Sequence, residues 1–402
     1  MNTFQLLTKE KSAYAKVTPP CPYFGTCGGC SLQDLAYPDQ VSLKRERLRK
    51  ALAPLGMLGD VEVVPMEEPW RYRNRAEFTF GASDGRLLLG YHESGSFWRI
   101  VDLQDCLLLP EAVMRILRDA RQLAEQTGWP AYQPRTHQGF FRYLLVRQSH
   151  ATGQVLLCLI TAPGPRDVIE HLAQELLTRH GSLASFYWGV TSKLADVAVP
   201  DELSLIGGAA YLDDVVGPFR LKLRPFSFLQ PARLQAERMY EELCRSVAST
   251  QVSVAWDLYC GLGLIALYLA SHTQKVYGID SEPSHMELAA LNASSNGIQN
   301  VEFRTGRVET VLMDRRFWLQ EAKPDLIVVD PPRAGLHPQA LSCVLAARPK
   351  LLAYLSCNPK ALVRDLRSLL ASFPRYRVTR VTGFDLFPQT DHVETLALLE
   401  RV

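Results

Sequence analysis

The second half of the chain constrains the architecture most, because from about residue 208 it alternates between two periods. Strand-like runs ("VSVAWDLYC", "KVYGID", "VEFRTG", "DLIVVD", "LLAYLSC") are separated by helical stretches over 231–248, 262–272 and 283–296. Strand–helix–strand units bury their apolar faces by building a parallel sheet with helices packed on it, so an α/β, Rossmann-like domain is predicted over 208–402. At 402 residues the chain is too long for one ordinary core. Residues 61–207 read as an α+β domain with an antiparallel sheet, from runs such as "RAEFTFGASDGRLLLGYH" and "GQVLLCLITA" and helical patterns at 110–127 and 166–180. Asp84-Gly85 is a hairpin-turn signal, and Gly153-Gln154 marks a second turn.

Residues 1–60 form a third region with its own chemistry. "CPYFGTCGGC" places Cys21, Cys27 and Cys30 with spacing C-x5-C-x2-C, and glycines between them let a loop aim several sulfurs at one point. Nine cysteines, an odd number, are expected to be free, metal-bound or catalytic rather than paired. Cys106, in "IVDLQDCLLLPE", is the candidate fourth ligand, and spacing alone does not choose between zinc and an iron–sulfur cluster. The stretch "DQVSLKRERLRKALAPLG" reads as a basic amphipathic helix ended by Pro54 and Gly56.

No apolar run approaches the roughly 18 residues of a membrane span, and residues 1–17 lack a signal-peptide pattern, so a cytoplasmic location is expected. Net charge is only +2, so an anionic partner has to be met by a local basic face.

Four motifs fall at the carboxyl tips of the predicted parallel strands, where open α/β sheets hold ligands. In "WDLYCGLGLIALYLA" a strand ends at Asp257, Gly261 and Gly263 make a tight turn, and a helix follows. The next strand ends in Asp280, placed to accept hydrogen bonds from a ribose. Position 266 is alanine, so the third glycine of a dinucleotide fingerprint is absent, which favours a ligand such as S-adenosylmethionine over NAD. In "DLIVVDPPRAGLHP" the strand delivers Asp330 and Pro331-Pro332 stiffen the turn beyond it. When an aromatic follows Asp-Pro-Pro, exocyclic amines are the usual methylation target, but here Arg333 follows. In "YLSCNP" Cys357 stands at a strand tip, open to three readings: a packed thiol, a metal ligand or a nucleophile. In "FDLFPQTDHVETLALLE" Glu394 precedes an apolar terminal strand, either as a capping charge or as a partly desolvated base.

Taken in order, "DLYCGLG", "DPPRAGL", "YLSCNP" and "FDLFPQTDHVE", with the N-terminal cysteine cluster, resemble the RNA (uracil-5-)-methyltransferases that make 5-methyluridine in ribosomal or transfer RNA. The resemblance implies S-adenosylmethionine as methyl donor, Cys357 as nucleophile and Glu394 as base. It implies a cofactor site made of Gln230 (in "FSFLQPARLQAE"), Tyr259, Gly261, Gly263, Asp280 and Asp330. It also implies a [4Fe–4S] cluster on Cys21, Cys27, Cys30 and Cys106, no N-terminal barrel domain, and 23S ribosomal RNA in preference to transfer RNA. A monomer is expected, and the basic helix is expected to dock on the catalytic domain. The chain departs from the family pattern at Pro231-Ala232, where Val-Asn is usual, and at Ala361, where threonine is common. RNA contacts are expected from "PWRYRNRAEF" (Trp70, Arg71, Tyr72, Arg73, Arg75) and from "QGFFRYLLVRQ" (Phe140, Phe141, Arg142, Tyr143). The rival readings are an amino-directed methyltransferase and an inactive iron–sulfur RNA-binding protein.

Overall fold

The computed structural model describes residues 3–56, 61–248, 250–314, 323–372 and 375–402. The position 60 at which the sequence divides the first two regions lies outside the described residues.

Two large sheets organise the chain. The C-terminal sheet has the order β1-β16-β17-β15-β14-β11-β12-β13. Its strands are β1 (Glu62–Val64), β11 (Val254–Leu258), β12 (Lys275–Asp280), β13 (Val301–Thr305), β14 (Leu326–Val329), β15 (Leu351–Ser356), β16 (Tyr376–Phe384) and β17 (Glu394–Arg401). β13, β12, β11, β14 and β15 run parallel, and β17 lies antiparallel between β15 and β16. Three residues from the first half of the chain, β1, pair in parallel with β16 at the sheet edge.

The parallel strands read as continuous apolar runs because both faces are covered. Ala255, Val328, Ala353 and Leu355 point into one core, which includes Leu243 of α5 (Arg233–Ala248) and Leu267 of α6 (Leu264–Ala270). Trp256, Leu258, Ile327, Val329 and Tyr354 point into the other, with Val344 of α9 (Pro338–Ala347) and Leu366 of α10 (Pro359–Ser372).

The second sheet has the order β4-β3-β2-β5-β6-β7-β8, from β2 (Arg75–Ser83), β3 (Arg86–His92), β4 (Ile100–Asp102), β5 (Phe141–Gln148), β6 (Val155–Thr161), β7 (Leu183–Val190) and β8 (Glu202–Gly208). It is antiparallel except for the β6–β7 pair. Asp84-Gly85 joins β2 to β3 as a two-residue turn, with φ of 50° and 74° at the two positions, the left-handed pair such a hairpin needs. Helices α3 (Glu111–Gln126) and α4 (Arg166–Arg179) cover one face.

The basic helix of the sequence is α2 (Tyr37–Leu52), and it packs against the segment between β16 and β17. Lys44 and Asp385 form an ion pair of 2.6 Å with both side chains fully buried. Tyr37 Oη donates to the second oxygen of Asp385 (3.0 Å), and Lys44 Nζ also donates to the Phe387 carbonyl (3.0 Å). Gln40 Nε2 donates to Gln389 Oε1 (2.9 Å), and the Gln389 amide donates back to Gln40 Oε1 (3.1 Å). Gln389 itself sits at φ 69°, a conformation that a non-glycine residue adopts only when its surroundings impose it. The N-terminal helix thus holds the loop that leads into Glu394.

Removing one partner of a buried pair leaves an uncompensated charge. Lys44→Met is therefore expected to destabilise the protein by about 3–5 kcal/mol in urea unfolding, and adding Asp385→Leu is expected to recover most of the loss.

Candidate active site

The order of the C-terminal sheet reverses between β11 and β14, and the side chains named from the sequence gather at the tips of the strands around that point. After β11 the chain turns through Tyr259 (φ 64°), Gly261 (52°) and Gly263 (74°) before α6. A Cβ at Gly263 would lie 2.5 Å from the ring of Phe303, so this turn position accepts only glycine. Asp280, at the tip of β12, accepts hydrogen bonds from the Gly261 amide (3.0 Å) and the Glu282 amide (2.9 Å). Burial raises its pKa, but the His285 ring, with Nδ1 3.8 Å from Oδ1, and the hydrogen bonds from these two amides outweigh that and hold the carboxyl below its usual range. Asp280 is thus poised as an ionised acceptor. His285 was not singled out from the sequence, although its place in the first turn after the Asp280 strand is a usable signal.

Gln230 is buried, and its carbonyl accepts a 2.8 Å hydrogen bond from Asn74 Nδ2. Pro231 accepts from the Asn74 amide (3.1 Å), so the Pro231-Ala232 departure contributes a carbonyl rather than a side chain. A cavity of about 740 Å3 lies beside the turn, lined by Tyr259, Ser281, Arg307, Pro332, His337 and Arg364 among others. Of the residues expected to bind cofactor, Tyr259 lines this cavity, while Gln230, Gly261, Gly263, Asp280 and Asp330 do not.

Cys357 and Glu394 come together through strand register. Ser356 at the tip of β15 pairs with Thr395 of β17. The next residue on each side is Cys357, in the bend that follows β15, and Glu394, the first residue of β17, and the Glu394 carboxyl is near enough to act on the Cys357 thiol. Cys357 is half-buried, and Glu394 is buried with Oε1 unpartnered among the described residues. Burial, and then the Glu394 carboxyl, push the Cys357 thiol up to about 11, while Arg333 pulls it the other way. Burial and the nearby Asp330 push Glu394 well above the ordinary carboxylate range. Burial also pushes up Asp330. Buried acids set this close together disfavour one another's negative charge, a strain that a cationic ligand would relieve.

Behind these groups Asp257 is fully buried, with Oδ2 accepting from the Ala266 amide (2.9 Å). Burial, and then Asp330, raise it to about 8. A buried acid with a raised pKa contributes stability below its unfolded value of 3.8, and that contribution is lost as pH rises through about 8. Asp257→Asn keeps the acceptor for Ala266, so its thermal midpoint is expected to fall less steeply than the wild type's as pH rises from 3.8 to about 8. Parallel slopes would contradict the assignment.

The Asp-Pro-Pro loop is fastened to the helix that follows Cys357. Asn358 Nδ2 donates to the Arg333 carbonyl (2.8 Å), Arg364 to the Ala334 carbonyl (2.7 Å), and the Leu336 amide to Asp365 (2.8 Å). Tyr354 Oη also donates to Asp365 (2.6 Å). Asn358 further accepts from the Lys360 amide at the start of α10 (3.2 Å). Ala361 is buried against the Gly335 turn, so the position that is commonly threonine in the family packs here.

Cys21, Cys27, Cys30 and Cys106 line a separate pocket, together with Arg73 and Tyr91. All four are free thiols. Burial drives the thiols of Cys30 to about 12 and Cys106 to about 11. Among the described residues no group of three or more His, Cys, Asp or Glu could hold a metal ion. The pocket is tied to the Glu394 loop, because the Ser31 and Leu32 amides donate to the Gln389 carbonyl (2.9 and 3.0 Å).

Several RNA-contact expectations are corrected by burial. The aromatics Phe140, Phe141 and Tyr143 are 1, 0 and 6% exposed. β5 is a central strand whose alternate residues enter different cores, Phe141 and Leu144 on one side and Tyr143 and Leu145 on the other, so these aromatics pack rather than stack on bases. Arg71 is engaged by Asp105 (2.8 Å), and Arg73 lines the cysteine pocket.

Among the described residues no helix is long and apolar enough to cross a membrane. A family model described as tRNA (uracil-5-)-methyltransferase matches residues 218–402. A Halalkalibacterium halodurans protein, described as an uncharacterized RNA methyltransferase, is 33% identical over 403 residues, covering 98% of this chain and 86% of the relative. A Nitratidesulfovibrio vulgaris protein of the same description is 35% identical over 392 residues, covering 95% and 82%. Among solved structures, the tRNA (uracil-54, C5)-methyltransferase of Pyrococcus abyssi in complex with S-adenosyl-L-homocysteine superposes with a TM-score of 0.76 at 26% identity. That match covers 94% of this chain and 86% of the neighbour. The chain is an RNA methyltransferase, and it belongs to the RNA (uracil-5-)-methyltransferase family.

Proposed function

We propose that the enzyme methylates C5 of a uridine in RNA through a covalent adduct, with Cys357 as nucleophile and Glu394 as base. One observation carries the reading: the Ser356–Thr395 pair ends the β15–β17 ladder with Cys357 and Glu394 as the next residues, and the Glu394 and Asp330 carboxyls both act on the Cys357 thiol. Uracil C5 is too weak a nucleophile to take a methyl group unaided. The Cys357 thiolate forms a bond to C6, and the C5–C6 electron pair moves onto the carbonyl as an enolate. Bound S-adenosylmethionine supplies a methyl group on a cationic sulfonium, which C5 can attack. Glu394 then takes the C5 proton, the C–S bond breaks, and the thiolate leaves with the ring restored. Gln230, Tyr259, Gly261, Gly263, Asp280 and Asp330 hold the methyl donor in this account, Asp280 as an ionised acceptor for the ribose. The target base has to leave its stack to reach Cys357.

The work divides among an N-terminal cysteine loop and helix (1–60), a central RNA-binding region (61–207) and the catalytic domain (208–402), in a monomer that acts in the cytoplasm. A [4Fe–4S] cluster on Cys21, Cys27, Cys30 and Cys106 is supported by the shared pocket these four thiols line and by the Arg73 guanidinium beside them, which would offset anionic charge. The methylation is not a redox step, so the cluster's role is structural or RNA-contacting. Iron and acid-labile sulfide in equal amounts are expected in anaerobically purified protein and are lost in Cys106→Ala.

The favoured substrate is 23S ribosomal RNA, on the likeness of the C-x5-C-x2-C spacing to ribosomal-RNA enzymes. Transfer RNA is the second reading, favoured by the Pyrococcus neighbour, whose own substrate is tRNA. Methylation of ribosomal and transfer RNA from a deletion strain, read as 5-methyluridine, tests both. Product in neither pool, with cluster-loaded enzyme, overturns the function.

A further inference from the structure

We propose that the central sheet carries a second nucleobase pocket, formed by the β3–β4 loop, the 132–134 turn and Arg142, which takes an unpaired base of the RNA substrate. The inference rests on RNA (uracil-5-)-methylation as the function, but its binding test stands apart from catalysis.

A cavity of about 430 Å3 opens there, lined by residues that include Thr79, His92, Phe97, Trp98, Tyr132 and Arg142. That size suits a small planar ligand, and the lining shares no residue with the Cys357 site. At the rim Phe97 and Trp98 are 82% and 60% exposed. Two adjacent large rings left in water mark an interaction site rather than packing. The Arg135 guanidinium already lies over the Trp98 ring, 4.6 Å from its centre. In the floor Arg142 is 3% exposed. It donates to the carbonyls of Lys193 (2.7 Å) and Ala195 (3.0 Å) and lies 4.1 Å from the centre of the Tyr132 ring. Its Nε has no partner among the described residues, and no carboxylate pairs with its charge there. Of the two acids in the lining, Asp196 is taken by the Tyr143 hydroxyl and Glu93 by Arg99 (2.5 Å).

A buried cation without an acid partner draws electron-rich groups, such as the carbonyl edge of a base. His92 adds a second edge reader. Its Nε2 lies 3.5 Å from Thr79 Oγ1, and its buried Nδ1 is unpartnered among the described residues. Exposed ring faces above and polar groups at the floor are the combination by which proteins hold splayed-out bases. The rim is braced by the cysteine loop, since the Gly28 amide donates to the His92 carbonyl (3.2 Å) and the Ser94 amide to the Thr26 carbonyl (2.8 Å).

The test is the full-length, cluster-containing Phe97→Ala/Trp98→Ala double variant. Binding to transcribed 23S ribosomal RNA and to total transfer RNA is measured by filter retention over a salt series, alongside KM and kcat. Because both rings are exposed, the variant is expected to fold with an unchanged thermal midpoint. The expected result is about ten-fold or greater loss of affinity for the RNA that is methylated, a matching rise in KM and an unchanged kcat. The slope of log affinity against log salt stays unchanged, because stacking releases no counterions. Trp98→Phe, which keeps a ring, is expected to retain most of the affinity. Unchanged affinity would overturn the proposal. So would a loss accompanied by a slope shallower by about one, the mark of a phosphate contact. Wild-type protein that binds RNA but makes no 5-methyluridine would instead overturn the catalytic reading, with the binding comparison still deciding the pocket.

Discussion

Cys357→Ala is expected to lose methyl transfer by at least about a thousand-fold while still binding S-adenosylmethionine. The thiol lies just past the tip of β15, half-buried, and no hydrogen bond of its side chain holds the fold together among the described residues. The residues around it are fixed by others: Asn358 and Arg364 fasten the Asp-Pro-Pro loop, and Tyr354 and Asp365 fasten α10. Alanine therefore removes the nucleophile and little else. Calorimetric titration with S-adenosylmethionine separates the two effects, since affinity stays while turnover disappears. Cys357→Ser is expected to be as inactive, because an alkoxide is far less accessible than a thiolate at neutral pH. Retained activity in Cys357→Ala would point to an exocyclic amine as the target, a reaction that needs no covalent adduct.

Glu394→Gln is expected to stop the reaction at its last step. Glutamine has the same shape but cannot accept the C5 proton, so the methylated base stays bonded to Cys357. Release is expected to slow by about 10²–10⁴-fold. The observable is a protein–RNA complex that survives denaturing gel electrophoresis with ordinary uridine RNA and carries the labelled methyl group. The side chain is buried and its pKa raised, so its contribution to stability is present at low pH and lost as pH rises. The neutral variant is expected to be at least as stable as the wild type above neutrality. If it instead turns over normally, the base lies elsewhere.

Much of the catalytic sheet was legible because a two-sided parallel sheet writes itself as apolar runs separated by helical periods. The turn at Gly261 and Gly263, and the acids Asp280 and Asp330 at strand tips, could be read from local spacing. The pairing of Cys357 with Glu394 could not, since it depends on β17 entering antiparallel between β15 and β16. Without a family resemblance, nothing local links a cysteine before Asn-Pro to a glutamate 37 positions on. The docking of α2 on the catalytic domain was expected from the family resemblance and not from its own composition. Its basic composition suggests a charged surface, yet Lys44 is buried against Asp385 and Gln40 against Gln389. Charge counts do not reveal which residues are solvated.

The Arg-aromatic stretches misled for a related reason. "FFRYLLVRQ" has the composition of a nucleic-acid surface, but as a central strand it is enclosed on both faces. The exposed rings, Phe97 and Trp98, belong to a short loop with no period to read.

The covalent step is tested most directly by mass spectrometry of the wild-type enzyme after reaction with S-adenosylmethionine and substrate RNA containing 5-fluorouridine. Fluorine at C5 cannot leave as a proton does, so the adduct formed by nucleophilic addition persists. The expected result is a methylated fluorouridine nucleotide attached to the peptide that contains Cys357. Formation of 5-methyluridine in ordinary RNA without any such adduct, or an adduct on a different cysteine such as Cys260, would contradict the assignment of Cys357 as nucleophile.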